Sequence, residues 1–278
     1  MGLHPGSAFS VIQGLRLMRC LAFLLLVLTA STAWSADQPF RIKVLCYNIH
    51  HGRGTDGKVD IERLAKVIQS VDPDLVSLQE VDSGVMRSSQ INEPEKLGEL
   101  CKLTPVFGNN IKYDGGDYGN AILSRWPVAR HTNHKLQSYY PNEQRGLLEV
   151  EVTLPEGRGP LLFCATHFDY RGGSPERLPS AVTANELIAM KNGVPAILAG
   201  DLNEPPDGAA VAALSKVWKR TNAGELPTFP VDKPTRQIDH ILVHPPARWR
   251  VIETRVLDEA VASDHRAILA VLELLPGH

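Results

Sequence analysis

The stretch AILAGDLNEPPD, residues 196–207, decides the fold, because an apolar run of strand length ends abruptly in polar groups. Gly200 allows a tight exit from the strand, and Asp201 and Asn203 lie two residues apart, so their side chains point the same way. A carboxylate and an amide on one face can hold a water molecule and donate a hydrogen bond to a phosphoryl oxygen. A simple Asx turn stopped by Pro205 and Pro206 explains the stretch equally well.

The same pattern recurs outward from this stretch in both directions. Apolar runs end in polar residues at Asn48, Glu80 and His167. Asp239 interrupts another such run, and Asp264 and His265 come directly before the last one. Strand ends are where a rigid scaffold meets solvent, so groups placed there can converge on one pocket while their backbones stay fixed. The pattern therefore predicts a single site assembled from distant segments.

The order of apolar runs predicts an α/β (α+β) fold. Helical periodicity indicates a helix over residues 60–70, a second after Pro179 with Val182, Leu187 and Met190 facing inward, and a shorter one over residues 209–217. Many strands with few helices indicate two mixed sheets packed face to face and flanked by helices. Strand-like runs occur at residues 41–48, 75–79, 120–124, 147–153, 160–166, 195–200, 238–243, 249–256 and 266–273.

The N-terminus has the pattern of a signal peptide over residues 1–36. Arg16 and Arg19 precede the apolar run 21–28 and a small-residue stretch, with cleavage expected near residues 33–36 and preferably after Ala33. We therefore expect an exported protein, periplasmic or extracellular. No other segment approaches the roughly 20 apolar residues of a spanning helix, so we expect no stable membrane span after cleavage.

Composition predicts one folded domain over residues 37–278, and we expect a monomer. The 278 residues are 43% hydrophobic, and 29 Lys and Arg nearly balance 31 Asp and Glu, so no global basic field indicates nucleic-acid binding. Three cysteines remain after cleavage, which leaves at least one unpaired. Cys46 and Cys164 lie in apolar runs, where buried free thiols are favoured over a disulfide.

Each chemical assignment has a plainer alternative when taken alone. Considered alone, Glu80 is more simply interpreted as a solvated residue at the end of a strand, and His265 as a histidine in a surface loop. A carboxylate such as Asp239 on one ring nitrogen would orient His265 as a base. His167 is equally compatible with a backbone hydrogen bond, and a surface salt bridge is the safer interpretation of Arg145. It is their joint occurrence in one domain that favours chemistry.

His50 and His51 invite interpretation as a metal-binding pair. Adjacent residues on a strand point to opposite faces, so we expect that both cannot easily bind one ion. Of the two, His50 shares a face with Asn48 and is retained as a candidate substrate-binding residue.

The ordered motifs YNIHHG, LQEVD, YGNAILSR, ATH, AGDLN, IDHI and SDH resemble the endonuclease/exonuclease/phosphatase superfamily of deoxyribonuclease I-like, metal-dependent phosphoesterases. The resemblance covers essentially the whole chain after residue 36 and implies a four-layer α/β sandwich with the site at one end of the two sheets. It implies a Mg²⁺ or Mn²⁺ site formed by Glu80 and Asn48, which Asp264 joins or orients. It also implies catalytic roles for His265, Asp239, Asp201, Asn203 and His167, and substrate contacts by Arg145 and Asn120.

Departures from the family's patterns bear on the substrate. The inositol phosphatase signatures are missing, because this chain has QIDHIL and GDLNEPP, and NIHHG replaces the AP endonuclease pattern. The active-site motifs QEV, TH and GDLN are more similar to those of the sphingomyelinase-like and deadenylase-like branches. We expect hydrolysis of phosphodiesters, with a lipid-derived, small-molecule or nucleic-acid substrate. The alternatives are a phosphomonoesterase on sugar or inositol phosphates, a nuclease, or a non-catalytic binding module on the same fold.

Overall fold

The computed structural model describes residues 1–2, 39–141 and 143–277. Residues 3–36 of the predicted signal peptide lie outside the described residues, so that prediction stays untested. Within the described part of the chain, no helix has the length and apolarity needed to span a membrane.

Twelve strands and four α-helices make up the described structure. The strands are β1 Phe40–Asn48, β2 Leu75–Ser83, β3 Thr104–Tyr113, β4 Gly116–Ser124, β5 Val128–Lys135, β6 Gly146–Thr153, β7 Pro160–His167, β8 Ala196–Asp201, β9 Lys219–Arg220, β10 Asp239–His244, β11 Trp249–Val256 and β12 Ile268–Leu274. The helices are α1 Ile61–Gln69, α2 Glu93–Cys101, α3 Arg177–Ala189 and α4 Ala209–Leu214.

Two mixed six-stranded sheets form the centre of the fold, with strand orders β11-β12-β1-β2-β4-β3 and β5-β6-β7-β8-β10-β9. Their facing sides share one apolar core, to which β1 contributes Val44 and β7 contributes Phe163. Ser77 crosses this core and donates a hydrogen bond from Oγ to the carbonyl oxygen of Ala199, at 2.9 Å. Burial of alternate residues on both sheets thus fixes them face to face.

Helices cover the outer sides of the two sheets. Leu64 and Ile68 of α1 and Leu97 of α2 pack on the first sheet, whereas Ala184 of α3 and Leu214 of α4 pack on the second. Asp60 caps α1 by accepting a hydrogen bond from the Arg63 amide. The expected four-layer sandwich is confirmed.

Strand pairing explains why distant polar residues meet. β1 and β2 are parallel, with Asn48 opposite Gln79, and β7 and β8 are parallel, with His167 opposite Asp201. The antiparallel strand β10 places Asp239 beside Asp201. Because parallel strands end at the same edge, each sheet delivers its terminal polar residues to one end of the sandwich.

The structure corrects part of the secondary-structure prediction. The inward face of α3 carries Ser180, Ala181, Ala184 and Ile188, whereas Val182 and Met190, predicted to face inward, are exposed. Small alanines let this helix approach the sheet closely, so the larger residues turn outward. Strands β3 and β5 were not predicted, because their polar sequences lack apolar alternation. Cys46, Cys101 and Cys164 are all unpaired, and Cys46 and Cys164 are buried.

Candidate active site

A cleft of about 270 Å³ opens at the edge where these strands end. It gathers side chains from both sheets and from four loops. Its lining residues are Glu80, His167, Tyr170, Asp201, Asn203, Phe229, Arg236, Ile238, Asp264 and His265. Six of the residues singled out from the sequence are therefore brought together. A larger groove of about 520 Å³ beside Arg63 and Arg255 contains none of them. The site is therefore identified by its residues and not by the volume of the cleft.

A β-bulge places Glu80 in this cleft. The register between β2 and β4 shifts between Leu78 and Val81, and Glu80 has a left-handed backbone with φ of 57°. Such a conformation costs of order 1–3 kcal/mol in a residue other than glycine, and bulges often re-aim a side chain beside an active site. Glu80 is thereby directed out of the strand and into the cleft.

Asn48 joins the two halves of the site through its side-chain amide. Nδ2 donates to Glu80 Oε1 and to Asp201 Oδ2, both at 3.1 Å, while Oδ1 accepts from the His50 amide at 3.1 Å. The residue is fully buried. Asn48 thus links the carboxylate of the first sheet to that of the second, and its predicted role as a metal ligand stays a prediction.

His265 and Asp239 form the expected hydrogen-bonded pair. His265 Nδ1 lies 2.8 Å from Asp239 Oδ2, which also accepts a hydrogen bond of 2.5 Å from Thr228 Oγ1. The other ring nitrogen, Nε2, faces the cleft 3.7 Å from Asp201 Oδ2. A carboxylate on Nδ1 requires a proton there and leaves Nε2 free to exchange one with a substrate or with water.

Burial and charge strongly perturb the acids and bases of this cleft. Burial raises the pKa of Asp201, and the charge of Asp239 raises it further, although His265 opposes both effects. Burial alone would lower the pKa of His265, but the charge and hydrogen bond of Asp239, followed by the charge of Asp201, outweigh it and raise that pKa. Perturbed pairs of this kind are typical of sites that transfer protons.

Asn203 and His167 form the opposite wall. Asn203 Nδ2 lies 3.1 Å from His167 Nε2 and donates to the Phe168 carbonyl oxygen at 3.2 Å. His167 Nε2 is 3.5 Å from Asp201 Oδ2. Burial, together with the charges of Arg145 and His265, lowers the pKa of His167 well below its usual value. His167 is therefore a neutral hydrogen-bonding group at physiological pH.

The loop before β12 carries Asp264 to the rim of the cleft. Its neighbour Ser263 is fully buried and donates from Oγ to the Asn48 carbonyl oxygen at 2.7 Å, and the Asp264 carbonyl oxygen accepts from the Val231 amide at 2.9 Å. The Asp264 side chain is 42% exposed. These bonds hold the carboxylate near the end of β1 while leaving it open to solvent.

Arg145 and Asn120 lie behind the cleft lining. Arg145 is 3% exposed, and its Nη2 donates to Glu143 Oε1 at 2.7 Å, so the expected surface salt bridge is instead a buried one. Its Nε is buried and has no hydrogen-bond partner among the residues that the structure describes. Asn120 is also buried and donates from Nδ2 to the Gly146 carbonyl oxygen at 3.0 Å. Substrate contact by either residue stays a prediction.

The two adjacent histidines overturn the expectation drawn from strand alternation. The strand ends at Asn48, and residues 50–52 form a 3₁₀ turn in which His50 and His51 have φ of 46° and 44°. As a result, a ring nitrogen of each histidine and a carboxylate oxygen of Glu80 lie within 4.8 Å of one another. The expectation was wrong because alternation holds only while the chain stays extended.

Several lining residues were missed by sequence reasoning. The Phe229 ring lies 4.8 Å from the His265 ring, centroid to centroid, and the Arg236 guanidinium stacks 4.9 Å from the Phe229 ring. Tyr170 is exposed at the rim. Thr228, Phe229 and Arg236 belong to a loop without periodicity, so no sequence pattern marks them.

Two stacked mixed sheets with a carboxylate, amide and histidine cluster at one edge define the deoxyribonuclease I-like class of hydrolase folds. The sequence model of the Endonuclease/Exonuclease/phosphatase family matches residues 45–265. The chain belongs to that family.

Individual relatives are consistent with this assignment. The uncharacterized protein YbhP of Escherichia coli K12 is 27% identical over 219 residues, covering 74% of this chain and 86% of its own. A crystal structure of an endonuclease/exonuclease/phosphatase from Beutenbergia cavernae is 26% identical, with a TM-score of 0.71, covering 84% of this chain and 72% of that one. The mannosyl-6-phosphatase Bt3783 of Bacteroides thetaiotaomicron shares the fold, with 20% identity, a TM-score of 0.69 and coverage of 83% and 99%.

Proposed function

We propose that this protein is an exported, divalent-metal-dependent hydrolase that cleaves phosphoester bonds, with phosphodiesters favoured. The observation that carries the proposal is the His265–Asp239 pair, whose free Nε2 faces Asp201 across a cleft also lined by Glu80 and Asn203. A base, a water-holding carboxylate and hydrogen-bond donors thus share one small space, as attack of water on a phosphoryl group requires.

The donor set fits a hard divalent cation. Glu80 and Asp264 offer carboxylate oxygens at the cleft, which match the ligands that Mg²⁺ and Mn²⁺ prefer. Asn48 would bind the ion through Oδ1, which accepts from the His50 amide, and not through Nδ2, which donates to Glu80. Glu80 Oε1 accepts a hydrogen bond from Asn48 Nδ2, and no Lys or Arg in the described part of the chain forms an ion pair with Glu80. When bound, such an ion supplies Lewis-acid polarisation of the phosphoryl group and stabilises the leaving oxygen.

The remaining steps fall to the protein's own side chains. Asp201 holds the attacking water, and His265 accepts its proton at Nε2 while Asp239 stabilises the resulting imidazolium through Nδ1. Asn203 Nδ2 and His167 Nε2 lie 3.1 Å apart, and both are free to donate hydrogen bonds to equatorial phosphoryl oxygens once substrate replaces this contact and the neutral His167 carries its proton on Nε2. No covalent enzyme intermediate is required.

Charge in the cleft favours a diester over a monoester. Among its lining residues, Glu80, Asp201 and Asp264 are acidic, and they face Arg236 and His265, whose raised pKa favours its charged form. A diester carries one negative charge, whereas a monoester carries close to two at neutral pH, so a monoester meets more repulsion before a metal ion offsets it. The mannosyl-6-phosphatase on the same fold keeps a phosphomonoesterase as the second candidate.

A substrate comparison tests the proposed chemistry. With Mg²⁺ or Mn²⁺ present, we expect bis-p-nitrophenyl phosphate to be hydrolysed with a kcat/KM roughly 10-fold or more above that of p-nitrophenyl phosphate, because about 1.4 kcal/mol of charge repulsion corresponds to tenfold. EDTA should abolish both activities, and added Mg²⁺ should restore them. Hydrolysis indifferent to EDTA would contradict metal dependence, and a preference for the monoester would select the second candidate. DNA, sphingomyelin and inositol phosphates assayed in parallel would then define the substrate.

Export is part of the proposal and has its own test. The basic residues Arg16 and Arg19 followed by the apolar run 21–28 support a cleaved signal peptide. We expect the protein expressed in a bacterial host to be recovered outside the cytoplasm with Trp34 as its N-terminal residue, as determined by N-terminal sequencing. An intact N-terminus on cytoplasmic protein would contradict export.

A further inference from the structure

The turn after β1 brings a second group of metal-binding side chains to the edge of the cleft. Ring nitrogens of His50 and His51 and a carboxylate oxygen of Glu80 lie within 4.8 Å of one another. The two imidazole rings are 4.4 Å apart, with planes inclined by 70°. Donor atoms at such separations can surround a single ion.

The hydrogen bonds within the protein leave a ring nitrogen of each histidine available to bind a metal ion. His51 is 8% exposed, yet its Nδ1 is buried and has no hydrogen-bond partner among the described residues. A buried polar atom without a partner is destabilising, and a ligand on His51 Nδ1 would relieve that cost. His50 Nδ1 lies 3.2 Å from the Arg53 carbonyl oxygen, so Nδ1 carries the proton and Nε2 presents its lone pair. Hydrogen-bonding one ring nitrogen to a carbonyl is how metal-ligating histidines are commonly oriented.

The turn itself is held rigidly. The Gly52 amide donates to the Ile49 carbonyl oxygen at 3.0 Å, and the Asp60 amide donates to the Gly52 carbonyl oxygen at 2.9 Å. Gly52 has φ of 75°, and a Cβ there would lie 2.6 Å from Ile61 Cδ1. A larger residue there would strain the backbone and displace Ile61, so the glycine and the two hydrogen bonds support the turn that carries both histidines.

The charged residues around His50 and His51 are compatible with a bound cation. The positive charges of Arg87 and Arg53 reach His51, but Arg87 is held in a two-pronged ion pair with Asp82, at 2.8 and 2.9 Å. Glu80 contributes negative charge directly, and Asp264 Oδ1 lies 3.8 Å from His50 Nδ1. The anionic groups therefore offset the two arginines.

We propose that His50, His51 and Glu80 form a transition-metal site that is distinct from the hard-oxygen site and shares Glu80 with it. Two imidazoles and one carboxylate favour borderline ions such as Zn²⁺ and Co²⁺ over Mg²⁺, which binds oxygen ligands almost exclusively. The site is defined by its binding of metal and does not depend on the proposed hydrolytic activity.

Metal titration of the EDTA-treated, dialysed protein tests this site. In saturating Mg²⁺, we expect one equivalent of Co²⁺ to bind with a visible absorption typical of nitrogen ligation, and Zn²⁺ to displace it. His51→Ala and His50→Ala should each weaken Co²⁺ and Zn²⁺ binding by on the order of 100-fold. Losing a residue that only orients a metal ligand weakens binding by up to this factor, and losing the ligand itself should cost at least as much. His131→Ala, at an exposed position on β5, is the matched control and should bind like the wild type.

The design separates a failed site from a failed fold or a failed enzyme. Because His51 is buried, its variant is checked by circular dichroism, and the one-third exposed His50 decides the question if His51→Ala does not fold. Unchanged Co²⁺ and Zn²⁺ affinity in a folded His50→Ala protein overturns the proposal. Since the readout is metal binding, the result stands whether or not the protein hydrolyses any phosphoester tested.

Discussion

Replacing Glu80 with glutamine is expected to lower kcat/KM for a phosphodiester about 100-fold or more, because metal stabilisation of the transition state contributes several kcal/mol and each 1.4 kcal/mol is tenfold. Glutamine keeps the size of the side chain and can still accept the hydrogen bond that Asn48 Nδ2 gives to Oε1. What it removes is the charge directed into the cleft by the β2 bulge. The loss therefore reports on charge and metal binding, not on packing.

Steady-state kinetics over a range of Mg²⁺ concentrations measure this effect. We expect the Glu80→Gln protein to need much more Mg²⁺ for half-maximal activity and to keep the melting temperature of the wild type within a few degrees. Glu186→Gln, an exposed position on α3, is the matched control and should show no change. Wild-type kcat/KM with an unchanged Mg²⁺ requirement in Glu80→Gln would exclude Glu80 from the proposed metal site.

The part of this site that the sequence predicts consists of polar residues at the ends of strands. Apolar runs that stop at Asn48, His167 and Asp201 locate the ends of strands, and parallel pairing then brings those ends to common edges. Inferring the approximate position of Glu80 required no more than this. Its bulge and left-handed backbone could not be predicted, because they depend on pairing with β4 and leave no mark in composition.

The parts that were not predicted are those in which periodicity is interrupted. His50 and His51 were assigned to opposite faces because a strand rule was extended two and three residues past the end of the strand at Asn48. Thr228, which donates to Asp239, and Phe229, which packs beside His265, reach the site through a loop whose β-bridge joins Phe229 to Arg236 within the loop itself. Contacts of this kind are set by tertiary packing, so local sequence patterns carry no information about them.

His265→Ala is expected to lower kcat/KM for a phosphodiester about 100- to 10,000-fold, the range typical of a lost general base. The ring is 5% exposed and is held by Asp239 on Nδ1, so alanine leaves a space lined by Asp201 and Phe229. Free imidazole added to the assay should recover part of the rate in His265→Ala and none in Glu80→Gln. Wild-type activity in His265→Ala would show that another group removes the proton.

The pH profile of Asp239→Asn separates a base from a structural histidine. A general base works when deprotonated, so activity should rise with pH through the pKa of His265, which the carboxylates of Asp239 and Asp201 hold above its ordinary value. Removing the Asp239 charge should lower that pKa and move the acidic limb of kcat/KM to lower pH, while the maximal rate falls because the ring loses its orienting partner. Asp72→Asn, which removes a surface partner of Arg125, should leave the limb in place. An acidic limb that does not move in Asp239→Asn would mean that the group titrating in the profile is not His265.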